Sequence, residues 1–257
     1  MINVVKIGGN VIDNPAALAA FLDDFAAMPS PKILVHGGGK EATRLCSRLG
    51  IQTTMIDGRR VTDSDTLEVV TMVYAGLINK RIVALLQARG VNALGLCGAD
   101  ANLIPAKRRN PEPIDYGFVG DIDVANSSAL SAFLDAGLTP VVCAITRSAN
   151  PTEGLLLNSN ADSVACAVAS AAAVIGPTVM HYCFEMPGVM TDINDVTSVI
   201  PEITAEKFVE LKNSGVVHSG MIPKITGALK ACRAGVQAVI IKSSVALNTD
   251  GGTIVKL

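Results

Sequence analysis

Charge is what this chain has little of. Asp, Glu, Lys and Arg supply 17% of its 257 residues, against about a quarter in an ordinary globular protein. Net charge is −2, and no basic cluster stands out beyond Lys107-Arg108-Arg109. Nucleic acid is therefore not expected as a partner. The six cysteines (Cys46, Cys97, Cys143, Cys166, Cys183, Cys232) form no C-x-x-C pair and are scattered through apolar stretches. They read as small buried hydrophobes in a reducing cytoplasm, not as disulfides or zinc ligands. His36, His181 and His218 are isolated, each reads as structural, and no resident metal site is expected. There is no G-x-S-x-G and no cysteine with a histidine partner in sequence. No apolar run reaches the length of a membrane span; the nearest, residues 164–176, contains Ser170, stops before Pro177 and reads as a core helix. The amino terminus goes straight into a strand without a basic n-region, so neither secretion nor a membrane is expected.

What is present is apolar. Hydrophobic residues make up 49% of the chain and mean hydropathy is positive, so a large core, or a core plus an oligomer interface, must take up that surface. Strand-like runs alternate with helical ones. The first, ending Val4-Val5-Lys6-Ile7, stops at Gly8-Gly9 in what reads as a tight turn. Asn14 or Asp13 then caps a helix with Pro15 at its first position. Strands follow at residues 32–35, 91–96, 139–145, 155–157, 179–184, 238–242 and 253–257, with an extended stretch at 51–56. Helices are expected at 40–49, 63–75, 77–89, 126–136, 204–213 and 222–234, with an Ala-rich helix starting in the stretch 158–162. Residues 103–107 and 117–124 read as a β-hairpin standing off the main sheet. The alternation argues for βαβ units and a doubly wound, mostly parallel sheet. A lobe boundary is expected at Gly176-Pro177, giving lobes 1–176 and 177–257.

Several stretches carry chemistry. Lysine is seldom fully buried without a partner, so Lys6, at the end of a buried strand and beside Gly8 and Gly9, is a candidate anion grip. His36-Gly37-Gly38-Gly39-Lys40 follows a strand and opens a helix, where free N–H groups and the helix dipole favour an anion. It is not a Walker A loop, since Leu34 and Glu41 stand where glycine and Ser or Thr are needed. It fits the dinucleotide fingerprint loosely through Gly37, Gly39 and Ala42, with Asp57 as a ribose ligand, which leaves a nicotinamide-dependent dehydrogenase open. Two glycine turns facing one crevice suit a transferring phosphoryl group better. Asn158-Ser159-Asn160-Ala161-Asp162 places three polar side chains where capping explains one. Lys224 lies in the first turn of a helix, where a cation opposes the dipole and invites a functional reason. Arg60 can form a bidentate grip on a carboxylate or can simply be solvated.

Lys6-Ile7-Gly8-Gly9, His36-Gly37-Gly38-Gly39, Asp57-Gly58-Arg59-Arg60-Val61-Thr62, Gly117-Phe118-Val119-Gly120-Asp121-Ile122, Leu157-Asn158-Ser159-Asn160-Ala161-Asp162 and Gly220-Met221-Ile222-Pro223-Lys224 run in one order along nearly the whole chain. As an ordered set they resemble the N-acetylglutamate kinases of the amino acid kinase family. The resemblance implies a three-layer αβα sandwich with an open, mostly parallel sheet. It also implies MgATP as phosphoryl donor, with magnesium held through phosphates and water, and the side-chain carboxylate of an acylglutamate as acceptor. By similarity, Lys6 and Lys224 stabilise the transferring group and Asp162 orients them. Gly38, Gly39, Arg60, Asn158 and Asn160 hold the acceptor, and Gly8, Gly9, Glu185, Gly188 and Lys224 the nucleotide. One departure is the stretch Phe184-Glu185-Met186-Pro187-Gly188-Val189: Glu185 stands in for the family's aspartate, and Pro187 removes a backbone donor. The chain also lacks the amino-terminal helical extension of arginine-inhibited hexameric relatives, so an arginine-insensitive homodimer is expected. The acyl group stays open between acetyl and succinyl, the latter suggested by the surplus bases Arg59, Lys107, Arg108 and Arg109. A non-catalytic amino-acid or nucleotide sensor on the same fold is the alternative from another class.

Overall fold

The structure is a computed structural model that describes residues 1–56, 58–217 and 220–257. Asp57, His218 and Ser219 lie outside the described residues, and with them the ribose-ligand reading of Asp57. In chain order the strands are β1 Ile2–Ile7, β2 Lys32–His36, β3 Met55–Ile56, β4 Arg59–Arg60, β5 Ala93–Leu96, β6 Pro105–Arg108, β7 Val119–Ile122, β8 Thr139–Cys143, β9 Ile145–Ser148, β10 Leu156–Ser159, β11 Thr178–Phe184, β12 Glu202–Ile203, β13 Ala238–Ser243 and β14 Thr253–Val255. The helices are α1 Gly9–Asp13, α2 Pro15–Ala27, α3 Gly39–Arg48, α4 Ser64–Gln87, α5 Ser127–Asp135, α6 Ala161–Ile175, α7 Ala205–Asn213 and α8 Ile222–Arg233.

Eight strands form one sheet in the order β12-β14-β13-β11-β1-β2-β8-β5. Six of them run parallel, and β14, with β12 alongside it, runs the other way. Val4, Val5, Ile7, Ile33, Leu34, Val35, Val141 and Val142 are fully buried, as expected of strands covered on both faces. Because β-crossovers are right-handed, the connections leaving β1 and β2 put α2, α3 and α4 on one face. Those reaching β8, β11 and β13 put α5, α6 and α8 on the other. The chain thus leaves β1 and β11 toward opposite faces, and the crevice at their carboxyl ends is where such sheets bind ligands.

The structure corrects the sequence reading in several places. Gly8-Gly9 is not a tight turn: Gly8, at φ −76° and ψ 161°, is the N-cap of α1. The two helices expected at 63–75 and 77–89 are one helix, because the chain around Gly76 widens into a π-helical segment, Met72–Ile78, instead of breaking. Helix α4 is therefore long and apolar enough, by length and composition alone, to cross a membrane. Its Val69, Val70, Val73, Tyr74, Ile78, Ile82 and Leu86 lie in the core. The strand expected at 139–145 ends at Cys143, where the chain leaves the large sheet at Ala144 and enters β9. The hairpin pairs antiparallel, Lys107 opposite Asp121, but does not stand alone: β9 and β10 close it into a four-stranded sheet. Only Met55–Ile56 of the stretch 51–56 is strand, and the two-residue edge strand β12 carries no sequence signal of its own.

Candidate active site

Lys6 and Tyr182 are register partners on the adjacent parallel strands β1 and β11, so their side chains emerge on the same face. On that face lies the first turn of α6, with Asp162 near its start. Lys6 Nζ is 2.7 Å from Asp162 Oδ1, and Lys224 Nζ, from the first turn of α8, is 2.5 Å from Oδ2. One carboxylate thus holds two ammonium groups, with one positive charge in surplus. Burial opposes ionisation of Asp162, but the two lysines outweigh it and hold the carboxyl at about 2. The ring of Tyr182 lies under both cations, 5.7 Å from Lys6 Nζ and 5.4 Å from Lys224 Nζ. Burial, and then the Asp162 charge, push its phenol well above its ordinary value.

The two glycine stretches, Gly8-Gly9 and Gly37–Gly39, meet at this crevice. Gly8 N donates to Cys183 O at 3.1 Å, extending the β1–β11 pairing one residue past β1. Lys40 Nζ donates to Asn10 Oδ1, joining α3 to α1. At Gly38 a Cβ would strike Ile78 Cδ1 and come within 2.9 Å of Tyr74 Cδ1, so the turn sits directly on the wide segment of α4. Gly37, Gly38 and Gly39 line a cavity of about 190 Å³, together with Arg59, Arg60, Asn158 and Asn160.

Arg60 is 7% exposed. Its Nη2 donates to Gly39 O at 2.9 Å and Thr43 Oγ1 at 2.8 Å, while the buried Nη1 has no protein partner. An arginine fixed on one side and unsatisfied on the other is prepared for an anion. Asn158 Nδ2 donates to Thr62 Oγ1 at 3.0 Å, which turns the side chain toward the same wall. Asn160 is the residue of the trio that caps: its Oδ1 accepts from Asp162 N and Ser163 N, and it also borders the cavity. A second cavity, about 450 Å³, opens on the other side of the bridge between α6 and α8, walled by small side chains such as Ala167, Ala171, Gly227 and Ala231.

The remaining sequence candidates are less convergent. Gly9 begins α1, and a Cβ there would meet nothing within 4 Å. Glu185 is exposed just beyond β11. Gly188 is buried where a Cβ would meet Thr253 Oγ1 and Val199 Cγ1, both at 2.8 Å, so packing alone requires glycine there. Of the surplus bases, Lys107 pairs with Asp123 at 2.8 Å and Arg109 with Asp121 at 2.5 Å, while Arg108 lies over the Phe118 ring; of the four, Arg59 alone lines the cavity of about 190 Å³. Among the described residues no three His, Cys, Asp or Glu side chains cluster as metal ligands. The carboxylate at the centre is already taken by two ammonium groups. Tyr182 was not singled out from the sequence, where it is one aromatic in an apolar strand; only the Lys6 register reveals it.

The model of the amino acid kinase family matches residues 1–243. An acetylglutamate kinase from Bacteroides fragilis is 47% identical over 255 residues, covering 99% of this chain and 97% of the relative. One from Cytophaga hutchinsonii is 50% identical over 239 residues, covering 93% and 89%. The crystal structure of smu.665 from Streptococcus mutans superposes with a TM-score of 0.81 at 28% identity, covering 99% of this chain and 98% of that one. Sequence and fold agree along almost the entire length, and the chain belongs to the amino acid kinase family.

Proposed function

We propose that this protein transfers the γ-phosphoryl group of ATP to the side-chain carboxylate of N-acetyl-L-glutamate, giving N-acetylglutamyl 5-phosphate, an acyl phosphate of arginine biosynthesis. The observation that carries the reading is the Lys6–Asp162–Lys224 bridge beside a small cavity that ends in an unsatisfied arginine nitrogen. The name shared by relatives at 47 and 50% identity supports the acceptor. Phosphoryl transfer asks a protein chiefly for alignment and for charge on the equatorial oxygens. Lys6 and Lys224 supply that charge, and Asp162 fixes both ammonium groups without acting as a base. A carboxylate acceptor is ionised at neutral pH and needs none. Arg60 and Asn158 hold the acceptor's α-substituents, Gly38 and Gly39 line its cavity, and Gly8, Gly9, Glu185 and Gly188 serve the nucleotide. Residues 1–176 form the acceptor lobe and residues 177–257 the ATP lobe of one continuous sheet. Magnesium, when bound, would be held mainly through the nucleotide's phosphates and water, and would supply further positive charge beside Lys6 and Lys224. The protein acts in the cytoplasm as a homodimer, a reading supported by Met72 and Leu77, which leave the core and lie about half exposed on α4.

The test is ADP release with MgATP and hydroxylamine trapping on N-acetyl-L-glutamate, N-succinyl-L-glutamate, L-glutamate and L-aspartate. Hydroxamate from N-acetyl-L-glutamate is expected. Turnover only on a free amino acid, or on none of the four, would contradict the reading. Arg60→Gln should raise the KM for the acceptor by roughly one to two orders of magnitude with kcat changed far less, since it removes a charge-assisted contact present in ground and transition states alike.

A further inference from the structure

His36 closes β2 and is completely buried. Its Nε2 lies 3.1 Å from Asn79 Nδ2, and its Nδ1 2.8 Å from the Gly37 carbonyl oxygen. The partners settle which nitrogen carries the proton. Asn79 Oδ1 accepts from Lys80 Nζ at 3.2 Å, and Asn79 Nδ2 also donates to Val141 O at 2.8 Å. The amide nitrogen of Asn79 therefore faces the ring, Nε2 accepts, and the proton sits on Nδ1, where it donates to Gly37 O. Burial pushes the imidazole down to about 4, so the ring is neutral at any ordinary pH and the two nitrogens keep these separate roles.

The C=O and N–H of one trans peptide point in opposite directions. Tying Gly37 O to the ring therefore turns the next N–H, that of Gly38, away from the ring. Gly38 lines the acceptor cavity, and its N–H makes no backbone hydrogen bond with the described residues. The same peptide is supported from beneath by Tyr74 and Ile78. These two side chains and Asn79 come from the wide segment of α4 and the residue directly after it. One irregular stretch thus fixes both the ring and the floor of the turn.

We propose that His36 is a positioning residue whose Nδ1–H, fixed by Asn79, locks the Gly37–Gly38 peptide so that the Gly38 N–H faces the oxygens of the transferring phosphoryl group. The inference rests on the phosphoryl-transfer reading above and adds His36 and Asn79 to it. Neither residue touches substrate. The role differs from packing because it depends on one donor at one atom.

Two experiments test it. Long-range ¹H–¹⁵N correlation of the imidazoles in the ¹⁵N-labelled protein should show His36 as the Nδ1–H tautomer at neutral pH, whether or not the protein turns over; an Nε2–H tautomer would overturn the proposal. In the kinase assay, His36→Leu should lower kcat by about 10- to 100-fold with both KM values within about threefold, as when a donor used mainly in the transition state is misaligned. His36→Asn places an amide nitrogen close to where Nδ1 stood and should recover most of that loss. Asn79→Leu should fall between wild type and His36→Leu, and serves if His36→Leu does not fold. A kcat for His36→Leu within about twofold of wild type, or His36→Asn no better than His36→Leu, would overturn the role. A wild-type protein inactive on every acceptor would instead overturn the reading on which the role rests, while the tautomer spectrum would still decide the hydrogen bond.

Discussion

Two kinds of buried lysine occur in this molecule, and only one suits chemistry. Lys32 and Lys242 are each 4% exposed. Lys32 Nζ donates to Ala26 O and Met28 O, both at 2.7 Å, and lies over the Phe25 ring. Lys242 Nζ donates to Leu247 O and Thr249 O. An ammonium has three donors, and in both cases at least two are committed to carbonyls at a helix end or a turn. Burial lowers the pKa of each. Lys6 is almost as buried, at 9% exposed, but it and Lys224 give one donor apiece to the same carboxylate. Among the described residues, neither ammonium makes a further hydrogen bond. Burial of a charge therefore does not mark the site; hydrogen-bonding capacity left over beside a cavity does.

The comparison breaks most decisively at the bridge. Lys6→Met and Lys224→Met should each lower kcat by about two orders of magnitude or more while the protein stays folded, because each removes charge felt mainly in the transition state. Steady-state kinetics together with a thermal melt checks this.

Acid separates the two environments next. Asp162 sits below its ordinary value, at about 2, so its contribution is complete above the unfolded carboxyl pKa near 4 and is lost only as pH falls toward 2. His36 and His181 are held down to about 4, chiefly by burial. Between their ordinary pKa near 6.5 and about 4 the unfolded chain binds protons that the folded one refuses, so stability falls as pH falls through that window, by up to on the order of 3 kcal/mol for each ring. Urea midpoints from pH 7 to 4 should decline, and His181→Asn should flatten the decline. A midpoint constant over that range would contradict the assignment.

Lys32→Met sharpens the contrast from the other side. It strands two carbonyls and should reduce stability by roughly 1–3 kcal/mol in denaturant titration, with kcat unchanged. The smallest effect is expected at Tyr182. Leucine removes the ring beneath both cations and should lower kcat by about tenfold or less, whereas Tyr182→Phe keeps the ring and should stay near wild type. Equal kcat for the two variants would show that the ring has no electrostatic part.

Much of this was legible in the sequence, for physical reasons that also explain what was not. Apolar runs of strand length name the parallel strands because both faces are covered, and the ordered glycine and lysine motifs name Lys6, Asp162 and Lys224. A local pattern reports that a segment is a strand but not which strand it pairs with. Hence the closure of β6 and β7 by β9 and β10 was missed, and so was Tyr182, whose role exists only through its register with Lys6. Gly76 reads as a break because glycine is a poor helix former, yet packing on both sides carries the helix through as a π segment. Which of Asn158, Asn160 and Asp162 caps the helix could not be told by sequence. The structure divides them into a side chain on the cavity wall, a helix cap that borders it, and the charge at the centre.

The most direct measurement is calorimetric binding of MgADP with aluminium fluoride in the presence of N-acetyl-L-glutamate, to the wild type and to Lys6→Met. If the surplus charge of the bridge serves the transferring group, the mixture should bind the wild type at least about 100-fold more tightly than the variant, while MgADP alone binds both to a similar degree. Equal affinity of the two proteins for the fluoride complex would contradict the account.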